Sequence, residues 1–286
     1  MIRLFRLLSR FPLPVLHRIG AVLGGLLYLI SGRERQRIRE HLLLAFPQGA
    51  PSGVAWESAL QGGRSMLELP WLWGRSIEEV VSRVSQVHGW ERLEVARKKG
   101  VPVLILTPHI GCFEIVGQFV ASNFPMTALY REPKNQKLVP LYDQGRNRGM
   151  MRGAPADTSG VRKMLKALKN KEAVGILPDQ VPQHGEGVWL PFFGRPAYTM
   201  TLAARFSMVR DVETFFVYAT RESGGRYHFF VQDSPPLEGD ETERAMMINR
   251  EVEKIIRQRP DQYFWSYNRY KSPNAASNAA RQALEQ

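Results

Sequence analysis

The spacing of apolar positions changes several times along the chain, and each change predicts a different element. Ile2, Leu4, Phe5, Leu7 and Leu8, set against Arg3, Arg6 and Arg10, predict a short amphipathic helix suited to a bilayer surface. Residues Ile19 to Ser31 are almost wholly apolar, between Arg18 and the arginines at 33, 35, 37 and 39. Between those charges the segment is shorter than the ~20 residues of a straight span, which leaves a tilted anchor, an in-plane segment or a glycine-rich core helix (Gly20, Gly24, Gly25). From Arg33 to Phe46 and from Val54 to Trp73 apolar residues recur at helical intervals, with Pro47, Pro51 and Pro70 marking ends. Gly89 to Gly100 reads as a helix closed by Lys98, Lys99 and Gly100.

The periodicity then alternates. Val103–Leu106 is an unbroken apolar run of strand length stopped by Pro108, after which Ile115, Val116 and Phe119 recur at helical spacing. Met126–Arg131 and Ala173–Leu177 predict strands; Gln136–Gly149, Gly160–Asn170 and Ala197–Met208 predict helices. Thr214–Thr220 and Tyr227–Gln232 predict a hairpin around Gly224-Gly225, and Glu241–Arg259 a last long helix. Strands alternating with helices imply an α/β fold with a mainly parallel central sheet flanked by helices. The expected division is 1–45 as N-terminal membrane-associated helices, 46–271 as the α/β domain and 272–286 as a flexible tail.

Charge narrows the partners. A net charge of +12 over 286 residues points to a polyanion: nucleic acid, an anionic membrane surface or a phosphorylated substrate. Nucleic acid is disfavoured because the basic residues are not interleaved with aromatics in a binding motif. A basic cluster directly beside an apolar run suits anionic lipid. The single cysteine excludes an internal disulfide framework and a Cys-rich zinc site.

The candidate chemistry starts at the strand–loop–helix of residues 101–119. His109 falls in the loop at the carboxyl end of the strand, where open α/β sheets bind ligands, and Glu114 in the first turns of the helix. On one regular helix the two would stand roughly 140° apart; with the histidine off the helix, Glu114 could accept from one imidazole nitrogen and leave the other free as a base. Backbone N–H groups near Gly111 are candidate oxyanion donors. Tyr130-Arg131, Lys134, Asn135, Lys137, Arg146 and Arg148 form a basic stretch with few acids, and Pro178-Asp179-Gln180 ends the next strand. In a parallel sheet His109, Arg131 and Asp179 would converge on one edge. Cys112, at a helix start where a thiolate is stabilised, offers a competing nucleophile, against burial as a small hydrophobe. A metal site from His109, Glu114, Asp179 and His184 lacks the usual ligand spacings. The apolar patch of Met66, Leu67, Leu69 and Trp71–Trp73 fits either core packing or an acyl groove.

In combination, these motifs resemble a known family. His-Ile-Gly-Cys-Phe-Glu, residues 109–114, matches the His-x4-Asp/Glu motif of glycerolipid acyltransferases. Tyr130-Arg131 with Lys134-Asn135, the Arg162–Lys171 helix leading into residues 175–180, Pro191-Phe-Phe-Gly194 and the Trp265–Lys271 segment resemble the bacterial lipid A biosynthesis lauroyl/myristoyl acyltransferase family. The resemblance runs from the N-terminal apolar segment to about Lys271. It implies a glycerolipid-acyltransferase-like fold, and transfer of an acyl chain from acyl carrier protein, or coenzyme A, to a hydroxyl of a lipid A precursor. The expected location is the cytoplasmic face of the inner membrane, without cofactor or metal. It implies His109 as base and Glu114 as its orienting acid, and by position Arg146, Arg131 and Asp179 at the phosphorylated glycolipid acceptor, with Gly111, Lys134 and Asn135 beside them. Acylation of another bacterial lipid, or a non-catalytic basic membrane-binding protein, are the alternatives.

Overall fold

A computed structural model describes residues 2–133 and 135–274. The N-terminal section is helical: α1 (Ile2–Leu8), α2 (Leu13–Ile30), α3 (Gly32–Ala45), α4 (Val54–Gly74) and the short α5 (Ile77–Val81). The chain then alternates through β1 (Val84–His88), α6 (Trp90–Lys99), β2 (Val103–Leu106), α7 (Phe113–Ala121) and β3 (Met126–Tyr130). A 3-10 turn (Gln136–Leu138) leads into α8 (Val139–Arg146), β4 (Met151–Pro155), α9 (Thr158–Lys169) and β5 (Ala173–Ile176). The hairpin β6 (Gly187–Phe192)/β7 (Arg195–Met200) and α10 (Leu202–Ser207) follow, then β8 (Glu213–Glu222), β9 (Arg226–Asp233) and α11 (Glu241–Gln258).

Seven strands form one sheet in the order β1-β9-β8-β2-β5-β3-β4; only the β8/β9 hairpin is antiparallel. The α/β architecture with a mainly parallel sheet is therefore the one the periodicity predicts. From β2 the chain steps past one position to β3 and β4, then returns to place β5 in the gap, while β8 takes the other side. This reversal of strand order puts a crevice at the carboxyl end of β2, the position at which open α/β sheets bind ligands.

All four residues of β2 are buried, and their alternation divides the core. Val103 and Ile105 pack with α4, α6 and α7 through Trp71, Leu93 and Ile115; Leu104 and Leu106 pack with α9 and α11 through Met164 and Val252. Helix α6 runs between Gly89 and Gly100, both left-handed, as its glycine signature predicts.

Helix α2 lies against α4 along a stripe of glycines. A Cβ on Gly63 would stand 1.9 Å from the Gly20 carbonyl oxygen, and one on Gly24 2.2 Å from that of Ala59, so the two backbones touch. The opposite face of α2 carries Val22, Leu23, Leu26, Leu29 and Ile30, all exposed, Ile30 by 80%. One side of this 18-residue helix is thus a core surface and the other an unpaired apolar surface, continued on α1 by Leu4 and Leu7. That asymmetry suits a helix lying in a bilayer interface better than one ringed by lipid. The guanidinium of Arg35 satisfies the carbonyls of Tyr28 and Leu29 at the end of α2.

Three local expectations are corrected and two strands are added. Pro70 lies inside α4; its ring removes one helical N–H donor, but burial of Trp71, Leu72 and Trp73 beyond it keeps the helix going. Ala197–Met208 is the end of a strand followed by a six-residue helix, because Arg195–Met200 pairs in register with Gly187–Phe192. Val84–His88 and Met151–Pro155 are strands at the two sheet edges, where partial exposure blurs the apolar pattern. Gln136–Gly149 breaks into a 3-10 turn and an eight-residue helix, with Pro140 in its first turn.

Candidate active site

The loop after β2 is fixed backbone by backbone. Thr107 donates to Ile176 of β5, Gly111 N–H donates to the Gln262 carbonyl at 2.9 Å, and Cys112 N–H donates to the Ala219 carbonyl of β8 at 2.8 Å. Gly111 has φ +53°, and a Cβ there would be 1.9 Å from the Ala219 oxygen, so only glycine lets the loop approach β8 this closely. Its N–H is already bonded. Gly111 is therefore a packing residue here, and of the N–H groups near it that could serve an oxyanion its own amide is already spent.

His109, with 14% of its side chain exposed, sits on this loop with its ring 4.7 Å from that of Phe113. Its partner is Asp179. Oδ1 of the buried Asp179 lies 2.7 Å from His109 Nδ1, and Oδ2 accepts the His109 backbone N–H at 2.9 Å. Burial alone would raise the Asp179 carboxyl, but the adjacent imidazole and these two hydrogen bonds hold it below the usual carboxylate range. An ionised carboxylate only accepts, so Nδ1 carries the hydrogen and Nε2 is left as the acceptor. Among the described residues no hydrogen-bond partner meets Nε2.

The bond expected between Glu114 and His109 is replaced by a second pair. Glu114 Oε1 is ion-paired with Arg146 of α8, and its Oε2 accepts from Trp73 Nε1 at 3.2 Å. The first turn of α7 aims Glu114 at α4 and α8, whereas Asp179 leaves β5 beside β2, which explains the exchange of partners. Arg146 also stands over the rings of Trp73 and Tyr130, at 5.6 and 6.0 Å, and its Nε is buried without a hydrogen-bond partner. Phe113, Glu114 and Arg146 line a small cavity of about 30 Å³ beneath Thr107 and Leu177.

The remaining candidates are scattered. Arg131 is exposed at the rim of a separate 430 Å³ cavity between α9 and α10, with Leu129, Val161 and Phe206. Asn135 is exposed and accepts the Lys137 N–H at 3.1 Å, capping the 3-10 turn. Lys134 lies outside the described residues. His184 is an exposed loop residue, and among the described residues no three His, Cys, Asp or Glu side chains are grouped so as to hold a metal ion. Cys112 is 1% exposed, and burial, followed by the neighbouring Glu68 carboxylate, pushes its thiol well above the ordinary range.

A buried polar cluster that the sequence reading missed stands behind Cys112. Glu68 of α4 binds Arg221 of β8 through both carboxylate oxygens, and also His17 Nε2 and the Tyr227 hydroxyl, each at 3.0 Å. Burial raises the Glu68 carboxyl, but Arg221 and His17 outweigh it and bring it down to about 2. Arg221 is in turn bracketed by Gln262, which accepts its N–H at 2.7 Å and donates to its carbonyl at 2.9 Å. The backbone carbonyl of the same Gln262 takes the Gly111 amide, so the cluster ties α2 and α4 to the loop carrying His109. These residues are far apart in sequence, and an isolated Glu, Arg or His carries no signal of such a partnership.

Comparison with known proteins gives the family. A family model described as "Bacterial lipid A biosynthesis acyltransferase" matches residues 1–272. The chain is 28% identical over 275 residues to a lipid A biosynthesis palmitoleoyltransferase of Escherichia coli K12, covering 92% of this chain and 87% of that one. It is 28% identical over 281 residues to the lauroyltransferase of the same organism (93% and 88%), and 27% over 269 residues to its myristoyltransferase (90% and 80%). With a match over nearly its whole length, the chain belongs to the bacterial lipid A biosynthesis acyltransferase family.

Proposed function

We propose that this protein transfers a fatty acyl chain from a thioester on acyl carrier protein, or on coenzyme A, to a hydroxyl of a phosphorylated glycolipid precursor of lipid A. The observation that carries the reading is the His109–Asp179 pair: a carboxylate fixing Nδ1, with Nε2 open at the carboxyl end of β2. A lipid hydroxyl is a weak nucleophile at neutral pH. Nε2 takes its proton as the oxygen attacks the thioester carbonyl, and Asp179 stabilises the imidazolium that forms. The tetrahedral oxyanion then collapses, the carbon–sulfur bond breaks, and the imidazolium returns its proton to the departing thiolate. Bonds and protons balance without a covalent enzyme intermediate, a cofactor or a metal. The unspent Arg146 Nε and the Phe113 and Glu114 amides at the start of α7, whose N-cap Cys112 gives no side-chain cap, are the donors available to the oxyanion. Glu114 positions Arg146.

The reading sets the reaction at the cytoplasmic face of the inner membrane; the exposed apolar face of α2 and the arginines flanking that helix support association with an anionic bilayer surface. The acidic surface of acyl carrier protein offers a second partner for the net positive charge. The test is to incubate the protein with a panel of acyl carrier protein and coenzyme A thioesters and a diphosphoryl lipid A precursor, then weigh the lipid products. One added acyl chain, absent with His109→Ala, is the expected result. A wild-type protein inert toward every thioester, yet still membrane-bound, refutes it.

A further inference from the structure

A polar pocket of 360 Å³ opens between α3, the start of β7 and the segment after Trp265. Arg33, Arg37, Arg195 and His41 line it together with Asn268. None of its three arginines is paired with a carboxylate among the described residues. Arg37 donates to the Ser266 carbonyl at 3.0 Å, and Arg195 lies 5.0 Å over the Tyr270 ring. The one acid in the wall, Glu40, accepts from Gln36 at 2.7 Å. Three guanidinium groups around a concave site, with most donors unspent, match a phosphoryl group, which takes several charge-assisted hydrogen bonds at once.

The surroundings say what carries that phosphoryl group. On the adjacent face of α3, Glu34 and Ile38 border a second cavity of 390 Å³, lined by Leu23, Leu27, Met66 and Phe264. This groove runs between α2 and α4 and reaches the exposed apolar face of α2, while the polar pocket begins three residues after Ile30. A charged cup and an apolar groove therefore lie side by side, next to the exposed apolar face of α2. Both are tied to the catalytic loop: Phe264 N–H donates to the His109 carbonyl at 3.2 Å, and His41 Nδ1 lies 2.8 Å from the Trp265 carbonyl oxygen.

Resting on the acceptor class proposed above, we infer that the pocket of Arg33, Arg37 and Arg195 binds a phosphoryl group of the glycolipid acceptor, whose hydrocarbon lies in the α2–α4 groove. Phosphate recognition thus sits on the N-terminal helices and β7, separate from Arg146, which serves the reacting end.

The experiment is equilibrium binding in neutral detergent micelles, without donor. A diphosphoryl glycolipid is compared with the same lipid after phosphatase treatment, using the wild type and the Arg33→Glu/Arg195→Glu double variant. The wild type prefers the phosphorylated lipid, inorganic phosphate competes for it, and the double variant binds it about tenfold or more weakly while binding the phosphatase-treated lipid as before. Should the double variant fail to fold, Arg33→Glu alone, on an exposed side chain, shows the same selective loss on a smaller scale. Equal wild-type affinity for the two lipids overturns the inference, as does equal loss for both in the variant. So does a loss confined to phosphatidylglycerol vesicles, which would make the pocket a bulk membrane contact, or to acyl carrier protein, which would make it a protein-docking site. Because no acyl transfer is read, a protein that binds selectively but transfers nothing sinks the catalytic proposal and leaves this one standing.

Discussion

Asp179 holds His109 at two points, taking the ring Nδ1 hydrogen on one carboxylate oxygen and the backbone N–H on the other, at 2.7 and 2.9 Å. Ring orientation, tautomer and loop position are thereby set by one buried side chain. Asp179→Asn keeps the volume but loses the acceptor-only character, so the imidazole can settle in the wrong tautomer. The expected outcome is a fall in kcat on the order of 10³-fold or more with KM for the donor little changed. Steady-state acyl transfer checks it, and a loss below tenfold would remove Asp179 from the base.

The exchange of partners between Asp179 and Glu114 has a spectroscopic signature. A hydrogen-bonded Nδ1–H of His109 gives a downfield proton resonance that Asp179→Asn abolishes and Glu114→Gln retains. Glu114→Gln instead leaves Arg146 without its carboxylate in a largely buried pocket, at a cost of about 1–3 kcal/mol in unfolding free energy and a reduced rate. If Glu114→Gln erased the resonance, the pairing described here would be wrong.

Cys112 separates base catalysis from an acyl-enzyme. Its thiol is buried and pushed well above the ordinary range by that burial and then by Glu68, so it stays protonated and unreactive. Cys112→Ala is expected to turn over within a few-fold of wild type and to lose roughly 1 kcal/mol of stability from the small cavity. Folded wild-type protein should resist thiol reagents. Inactive, well-folded Cys112→Ala with an acyl adduct in the wild type would reverse this.

The Glu68 cluster sets an acid limit. Glu68 falls from 4.5 to about 2 on folding, so the unfolded chain binds the extra proton between those values. Its stabilising contribution is present above about pH 4.5 and is lost as pH falls toward 2, on the order of 3 kcal/mol in all. Glu68→Gln should flatten the acid side of the stability profile. It should also destabilise the protein by about 3–5 kcal/mol at neutral pH, because Arg221 stays buried without its partner. Denaturant melts from pH 3 to 7 read both effects; an unchanged acid slope in the variant would refute the linkage.

The local pattern of the chain determined a great deal. Elements with one buried face repeat their apolar residues at a fixed period, so α2, α4, α6, β2, β5, the β8/β9 hairpin and α11 were legible from spacing alone, and strand–helix alternation implied the parallel sheet. The run of Val103–Leu106 followed by Pro108 placed His109 at a strand end. Half-exposed edge strands and the short β6/β7 hairpin escaped because their register, not their composition, makes them strands.

Pairing across the fold was decided by the tertiary structure. Glu114 is five residues from His109 and looked like its partner, whereas Asp179 is seventy away. In the sheet Leu106 stands opposite Ile176, and His109 and Asp179 each follow three residues later, so parallel register brings the two loops together. Hydrogen bonds and ion pairs depend on distance in space, and a one-dimensional spacing reports that distance only within a single helix or strand. The arginines of the polar pocket and the Glu68 cluster belong to the same class: each residue is ordinary in the sequence, and only packing α2, α3 and α4 against the sheet makes them a site.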